Sequence, residues 1–384
     1  MYYNIISNYV ILIIIVKRLG DDVMKKIKNF QCGMGIGGWL TNYKRFNVLP
    51  EDKRMDITIG DLEHFATYIT EEDVKYIKSL GMDHIRVGFD QIVMEESPFV
   101  YREETFSHLD NFISWCEKYD LGIVLNMHKA IGNYCDIKEE IELLDDEGLQ
   151  NRFIALWEYF EKRYADKKDV IFELLNEVRD VDPDMWNNLA ERTIKALRKL
   201  NPTRKIIIGP TCWNNCYALK NLRVYDDENV IYTFHYYEPF VFTHQRGVLQ
   251  AYPLYYNRKM EYPGDIEKYR DFNRTFWDCD GFEGVDEMGI DWLRSQFQGA
   301  VDFVKNHPDK ILWCGEFGTI RHADIKWREN WMRDVITLIK EQDMPYCVWN
   351  YLSTPNDGNR FSLVDDDNRK ILSEELARII RGDF

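Results

Sequence analysis

Eight short apolar runs recur along this chain, spaced so that one amphipathic segment fits between most neighbours. They are CGMGIGG (32–38), DHIRVGF (83–89), LGIVLNMH (121–128), DVIFELLNE (169–177), KIIIGP (205–210), NVIYTFHYY (229–237), KILWCGEFG (310–318) and MPYCVWNY (344–351). Strands that are apolar along most of their length are covered on both faces, and successive strand–helix units build a parallel sheet. Eight such units point to an α/β fold, a closed (β/α)8 or TIM barrel, with an open doubly wound sheet as the alternative. The intervening segments carry helix punctuation. TEEDVKYIKSLG (70–81) opens on a Thr-x-x-Asp capping pattern and ends on Gly81.

One connection is too long for a plain barrel. About fifty residues separate the sixth run from the helix expected near Trp292, and they are rich in aromatics. A stretch of that length in a compact domain is functional or a small subdomain, so an insertion over 238–290 is expected on the C-terminal face, with Phe240, Phe242, His244 and Tyr252 shaping the cleft or a dimer contact. The remainder of 24–384 reads as one catalytic domain. Residues 1–23 read as an N-terminal extension ahead of Met24. The apolar stretch Tyr9–Val16 is too short to span a bilayer, no positive charge precedes it, and no small-residue cleavage pattern follows. A cytoplasmic location is therefore expected, with secretion as the alternative.

Lys plus Arg number 49 against 65 Asp plus Glu, a net charge of −16 that repels phosphate backbones and anionic lipid surfaces. Neither nucleic acid nor a membrane is expected as a partner, and the sequence leaves the oligomeric state open. The eight cysteines contain no C-x-x-C pair, which suggests reduced, packed thiols rather than disulfides or a zinc site.

In a barrel of this kind the active site is built at the C-terminal ends of the strands. The polar residues there are Arg86 on the second run, His128 on the third, Asn176 and Glu177 on the fourth, His235 and Tyr237 on the sixth, Glu316 on the seventh and Trp349 on the eighth. Taken singly, each has a plain explanation: a solvated loop carboxylate, a satisfied core histidine, a rim ion pair, a packed tryptophan. Their accumulation at one end of the sheet argues against coincidence. Two carboxylates projected from strands four and seven face each other across the mouth, as glycoside hydrolysis requires. One carboxyl group protonates the leaving oxygen and the other attacks the anomeric carbon, about 5 Å away in retaining enzymes. Arg86 beside Glu316 would hold the nucleophile ionised, and Glu177 has to start protonated. The Asn176 amide suits a sugar 2-hydroxyl, His128, His235 and Tyr237 can orient hydroxyls and acids, and Trp349 offers a flat face to a pyranose. Glu173 shares parity with Glu177, so it should point into the barrel and need a partner, Arg86 or a polar group on the barrel floor.

The set RVGFD, NMHK, LLNEV, FHYYEPF, CGEFG and VWNY, in this order, resembles family 5 of the glycoside hydrolases, whose members are retaining (β/α)8 barrels. GMGIGGWL, PFVFTHQ and the following YPG are most similar to its subfamily 37 endoglucanases. The resemblance runs from about Phe30 to the end. It implies Glu177 as acid/base, Glu316 as nucleophile and Arg86, His128, Asn176, His235, Tyr237 and Trp349 as the other family positions, acting on β-1,4 or mixed β-1,3-1,4 glucan. Lys129 stands where a second histidine is frequent and Asn126 where Asp is common, which affects subsite detail rather than chemistry.

Gly33, Gly35 and Gly38 fit G-x-G-x-x-G, but no amphipathic helix follows, so they read as a tight turn of the first strand, with Trp39 as core or as a cleft-floor aromatic that binds substrate. No Walker loop, H-E-x-x-H or G-x-S-x-G is present, and no cofactor or metal is expected. A β-mannanase or other β-glycanase, and a carbohydrate-binding barrel without catalysis, are the competing readings.

Overall fold

A computed structural model of the chain describes residues 26–41, 62–134, 141–354 and 357–384. The reading of 1–23 as an extension lies outside these residues. All eight apolar runs form strands: β1 Cys32–Leu40, β2 His84–Asp90, β3 Gly122–Lys129, β4 Val170–Glu173, β5 Ile206–Ile208, β6 Val230–Tyr236, β7 Leu312–Phe317 and β8 Tyr346–Val348. They close into a parallel barrel in chain order, with β1 paired to both β2 and β8.

Alternation along the strands sorts the barrel interior into layers. At the floor, Val124, Ile171, Ile207, Ile231, Trp313 and Cys347 cluster with Phe30, separately from the large apolar layer between sheet and helices. Two residues further along β3, β4 and β6 the interior turns polar, with Asn126, Glu173 and Thr233 buried alongside Arg86 of β2. The next step upward delivers His128 and His235 at the mouth, where Trp349, two residues past Cys347 on β8, lies parallel to His128. Strand β4 is shorter than its apolar run, but its ladder continues, since Leu174 N donates to Ile207 O and Asn176 N to Met127 O. That pairing carries Asn176 and Glu177 to the rim.

The helix Glu71–Ser79 begins as its sequence suggests, with the Asp73 carboxylate accepting from the Thr70 N–H and hydroxyl. Pro183–Leu200 starts on Asp182, whose side chain accepts from Asp184 N, and buries Trp186, Leu189, Ala190, Ile194 and Leu197 against the sheet. The connection after β5 departs from the expected pattern: it holds a 3-10 turn, Cys216–Asn221, instead of an α-helix. The helix Gln298–Asn306 packs on that turn, and Gly299 permits the approach, because a Cβ there would stand 2.3 Å from Cys216 O.

Residues 238–290 contain short helices Phe240–Thr243 and Ala251–Tyr256, a longer one Ile266–Trp277, and a two-stranded ribbon joining Gly264–Asp265 to Glu287–Met288. Their buried Phe242, Met260, Tyr262, Ile266, Tyr269 and Phe272 join the apolar layer around the barrel, and the Tyr262 hydroxyl donates to Asp334 of the helix Ile325–Glu341. Among the described residues no helix is long and apolar enough to cross a membrane. The seven described cysteines are free thiols, four of them buried.

Candidate active site

A cleft of about 1060 Å³ opens at the C-terminal end of the barrel. Its lining includes His128, Asn176, Glu177, His235, Tyr237, Glu316 and Trp349, side chains from the C-terminal ends of five strands brought to one place. Arg86 lies beneath them in mid-strand, fully buried rather than at the rim.

The centre is an ion network in two tiers. Arg86 Nε and Nη2 donate to the two Glu173 oxygens at 2.6 and 2.9 Å, which gives Glu173 the partner its parity demanded. The remaining donors point upward, with Nη1 reaching Glu316 Oε2 and Nη2 reaching Asn176 Oδ1, both at 2.6 Å. Burial works against the guanidinium charge, but Glu173 and Glu316 outweigh it and Arg86 stays cationic. The Tyr237 hydroxyl donates to Glu316 Oε1 at 2.8 Å, so both oxygens of Glu316 are held. Burial, reinforced by the Glu316 charge, pushes the Tyr237 phenol well above its usual range, and it remains a donor. Because Asn176 Oδ1 is taken by Arg86, what its amide can offer the cleft is an N–H donor.

Glu177 meets His235, whose Nδ1 lies 2.7 Å from Glu177 Oε1. Burial drives the His235 imidazole down to about 4, against the raising effect of Glu316, so it is neutral at ordinary pH. His128 is neutral for a similar reason: burial, then the Lys129 and Arg86 charges, push it well below its ordinary value. Its Nδ1 is 3.0 Å from Asn126 Oδ1, and its ring lies parallel to Trp349 at 5.6 Å.

Glycines make room for Trp349. A Cβ on Gly35 or Gly37 would stand 2.7 or 2.5 Å from its indole, and one on Gly318 would stand 2.1 Å from its carbonyl oxygen. Gly33 likewise clears His84. These residues therefore form part of an extended strand whose bare face admits an indole and an imidazole, and only Gly38, at φ +72°, bends the backbone. The expectation of a tight turn over 33–38 is corrected accordingly. Trp39 is also corrected: it is buried against Phe112, donates Nε1–H to Phe65 O and does not line the cleft. The pairing of β1 with β2 slips between Ile36 and Leu40, and this irregularity turns Trp39 from the barrel interior into the helix layer.

Of the insertion residues, Phe240, His244 and Tyr252 reach the cleft, whereas Phe242 is buried near Tyr262. Sequence reasoning missed Trp213, Tyr217 and Tyr255, cleft residues with half or more of the side chain in solvent in most cases. Trp213 follows the fifth strand in the phrase TCWNN, and an aromatic just past a strand end was the signal available.

Glu177, His235 and Glu316, which the sequence already places at one end of the barrel, bring donor atoms within 4.8 Å of one another. Cation-binding residues can be arranged like this, but here Arg86 and Tyr237 already occupy both Glu316 oxygens and a guanidinium sits where a second positive charge would be repelled. With one oxygen of each no more than 4.8 Å from the other, the two carboxylates instead stand close together, as in retaining glycosidases, where the carboxyl groups are about 5 Å apart.

A (β/α)8 barrel with two carboxylates facing each other at its mouth is the arrangement that glycoside hydrolysis requires. Residues 51–354 match the sequence pattern described as "Cellulase (glycosyl hydrolase family 5)", and the chain belongs to that family. Endoglucanase C of Acetivibrio thermocellus is 36% identical over 358 residues, covering 92% of this chain and 98% of the relative. Cellodextrinase A of Ruminococcus flavefaciens is 28% identical over 79% of this chain and 81% of its own length. Among solved structures, endoglucanase Cel5A from the hyperthermophilic Thermotoga maritima superimposes with a TM-score of 0.68 at 25% identity, covering 91% of this chain and 96% of that one. The same enzyme in complex with mannotriose gives 0.69, covering 92% and 98%.

Proposed function

We propose that this protein is a retaining endo-β-1,4-glucanase that also accepts mixed β-1,3-1,4 glucan, with Glu177 as acid/base and Glu316 as nucleophile. The observation that carries the reading is the meeting of these two carboxylates within 4.8 Å, each held by different partners. Those partners divide the labour. Arg86 and Tyr237 hold Glu316 in place and surround it with positive charge and a phenol donor, while Glu177 Oε1 meets the neutral imidazole of His235.

In the first step a Glu316 oxygen attacks the anomeric carbon, the glycosidic C–O bond breaks, and the Glu177 proton passes to the departing oxygen. In the second, the Glu177 carboxylate takes a proton from water, whose oxygen attacks the same carbon and releases Glu316. The Asn176 N–H donor is available to the 2-hydroxyl, and Trp349 with the parallel His128 gives the bound sugar an apolar wall.

The substrate class follows from names and shape together. The relatives are called endoglucanase and cellodextrinase, and the cleft lining runs from the loops after β8 and β1 to those after β5 and β6, on the far side of the barrel. A groove that crosses the mouth accommodates a chain on both sides of the scissile bond, which favours endo cleavage. Membership of subfamily 37, and 238–290 as a subdomain beside the cleft, belong to the same proposal. A β-mannan substrate is the second reading, favoured by the mannotriose complex of the Thermotoga enzyme.

The test is turnover by purified protein of carboxymethylcellulose, barley β-glucan, glucomannan, mannan and xylan, with product lengths recorded. Mixed short oligosaccharides from the first two, appearing early, are expected. Faster release from pure mannan would favour the second reading, and absence of turnover on every polymer would leave only a binding barrel.

A further inference from the structure

His235 Nδ1 lies 2.7 Å from Glu177 Oε1, so the protonation of the imidazole bears directly on that of the acid. Its other nitrogen, Nε2, lies 3.3 Å from Nδ2 of Asn214. Asn214 is buried, and the same Nδ2 is 2.5 Å from the backbone oxygen of Asn176, the residue before Glu177. A carbonyl oxygen can only accept, so the Asn214 atom facing it is the amino group and not the amide oxygen. The second amino hydrogen then points at Nε2, which must accept. A neutral imidazole that accepts at Nε2 carries its proton on Nδ1, where it donates to Glu177 Oε1.

The backbone is built around this contact. Cys212, Trp213 and Asn214 are three successive residues in the left-handed region, at φ +59°, +54° and +57°. Gly209 clears the space, since a Cβ there would stand 1.8 Å from Asn214 Oδ1. His235 N donates to Asn214 O at 2.8 Å, so main chain and side chain hold the same histidine.

We propose that Asn214 is a positioning residue: its amide locks His235 in the tautomer protonated at Nδ1, which keeps the transferable proton of Glu177 on the oxygen that His235 does not hold. The proposal rests on Glu177 as the acid. If His235 carried its proton on Nε2, Nδ1 would accept, and the Glu177 proton would be drawn to Oε1 and away from the leaving group.

The test is the dependence of kcat/KM on the leaving group, because a dinitrophenolate departs without protonation and a sugar does not. Asn214→Asp keeps shape and left-handed backbone, but its carboxylate accepts from Nε2–H and selects the other protonation pattern. Asn214→Gly, which also tolerates positive φ, removes the amide without imposing either pattern and serves should the aspartate variant fail to fold. Asn214→Asp should lose about tenfold or more on cellotetraose and less than about threefold on 2,4-dinitrophenyl β-cellobioside, with Asn214→Gly following the same direction less steeply. Glu177→Gln is the control for the acid itself. If it discriminates between the two substrates while both Asn214 variants lose equally on both, or lose on neither, the Asn214 proposal is overturned alone. If Glu177→Gln does not discriminate, the acid assignment falls and this proposal with it.

Discussion

Replacing Arg86 by methionine removes one cation from between two buried acids. Arg86 and Glu173 are fully buried, Glu316 nearly so, and the guanidinium makes four hydrogen bonds of 2.6 to 2.9 Å to Glu173, Glu316 and Asn176. Breaking one buried ion pair by deleting a partner costs about 3–5 kcal/mol, because the survivor is left uncompensated. Here two carboxylates are stranded, so Arg86→Met should cost about 5 kcal/mol, a third or more of the stability of an ordinary domain. The same reasoning fixes a sign. Glu173→Gln alone should be destabilising, yet modestly, because Arg86 retains Glu316. On the Arg86→Met background it removes a stranded charge, so it should restore about 2 kcal/mol. Urea unfolding of the four proteins in this cycle, with slopes checked for constancy, reads the outcome directly. If Arg86→Met costs less than about 1 kcal/mol, or if Glu173→Gln weakens both backgrounds equally, the network is not the coupled unit described here.

Three further outcomes are expected. His235 and His244 titrate at about 4 and about 3 because burial opposes their charging, so the unfolded chain binds these protons at higher pH than the folded one; stability should fall as pH drops from about 6.5 toward those values, by roughly 3 kcal/mol for His235 alone, and urea midpoints at several pH values should decline less steeply in His244→Gln. Gly35→Ala places a methyl group 2.7 Å from the Trp349 indole and should lower kcat/KM about tenfold or more with little change in secondary structure; an unaltered rate would mean that the indole position is not critical. Tyr255 is 76% exposed, so Tyr255→Ala should leave Tm unchanged while raising KM on cellopentaose about threefold to tenfold and sparing an aryl cellobioside; equal effects on both substrates would place Tyr255 outside the substrate path.

The strand count was legible because every barrel strand is apolar on the side facing the helices, whatever its inner face carries. The inward direction of Glu173 was legible from parity, but the choice between Arg86 and a polar group on the barrel floor was not, because parity does not say which side chain crosses the interior to meet it. Parity fails where the ladder slips, and Trp39 shows this, since the irregularity after Ile36 moves it from the cleft side to the core. The glycines at 33, 35 and 37 looked like turn residues because sequence spacing cannot reveal that an indole from β8 lies over them. Asn214 was hidden more deeply. Its role depends on three left-handed residues that bring a loop after β5 over the end of β4 and against β6, a contact among three elements. The missing helix after β5 escaped notice because the helix covering that side comes from beyond the sixth strand.

The central claim is that Glu316 forms a covalent bond to the sugar. Incubation with 2,4-dinitrophenyl 2-deoxy-2-fluoro-β-cellobioside should expel dinitrophenolate once per active site and leave the fluorinated disaccharide esterified to the protein, because the fluorine slows both steps and the good leaving group speeds only the first. Mass spectrometry of a protease digest should find that label on the peptide containing Glu316 and nowhere in Glu316→Gln. A label on Glu177 or Glu173 would contradict the account, as would steady turnover of this reagent with no covalent species at any time.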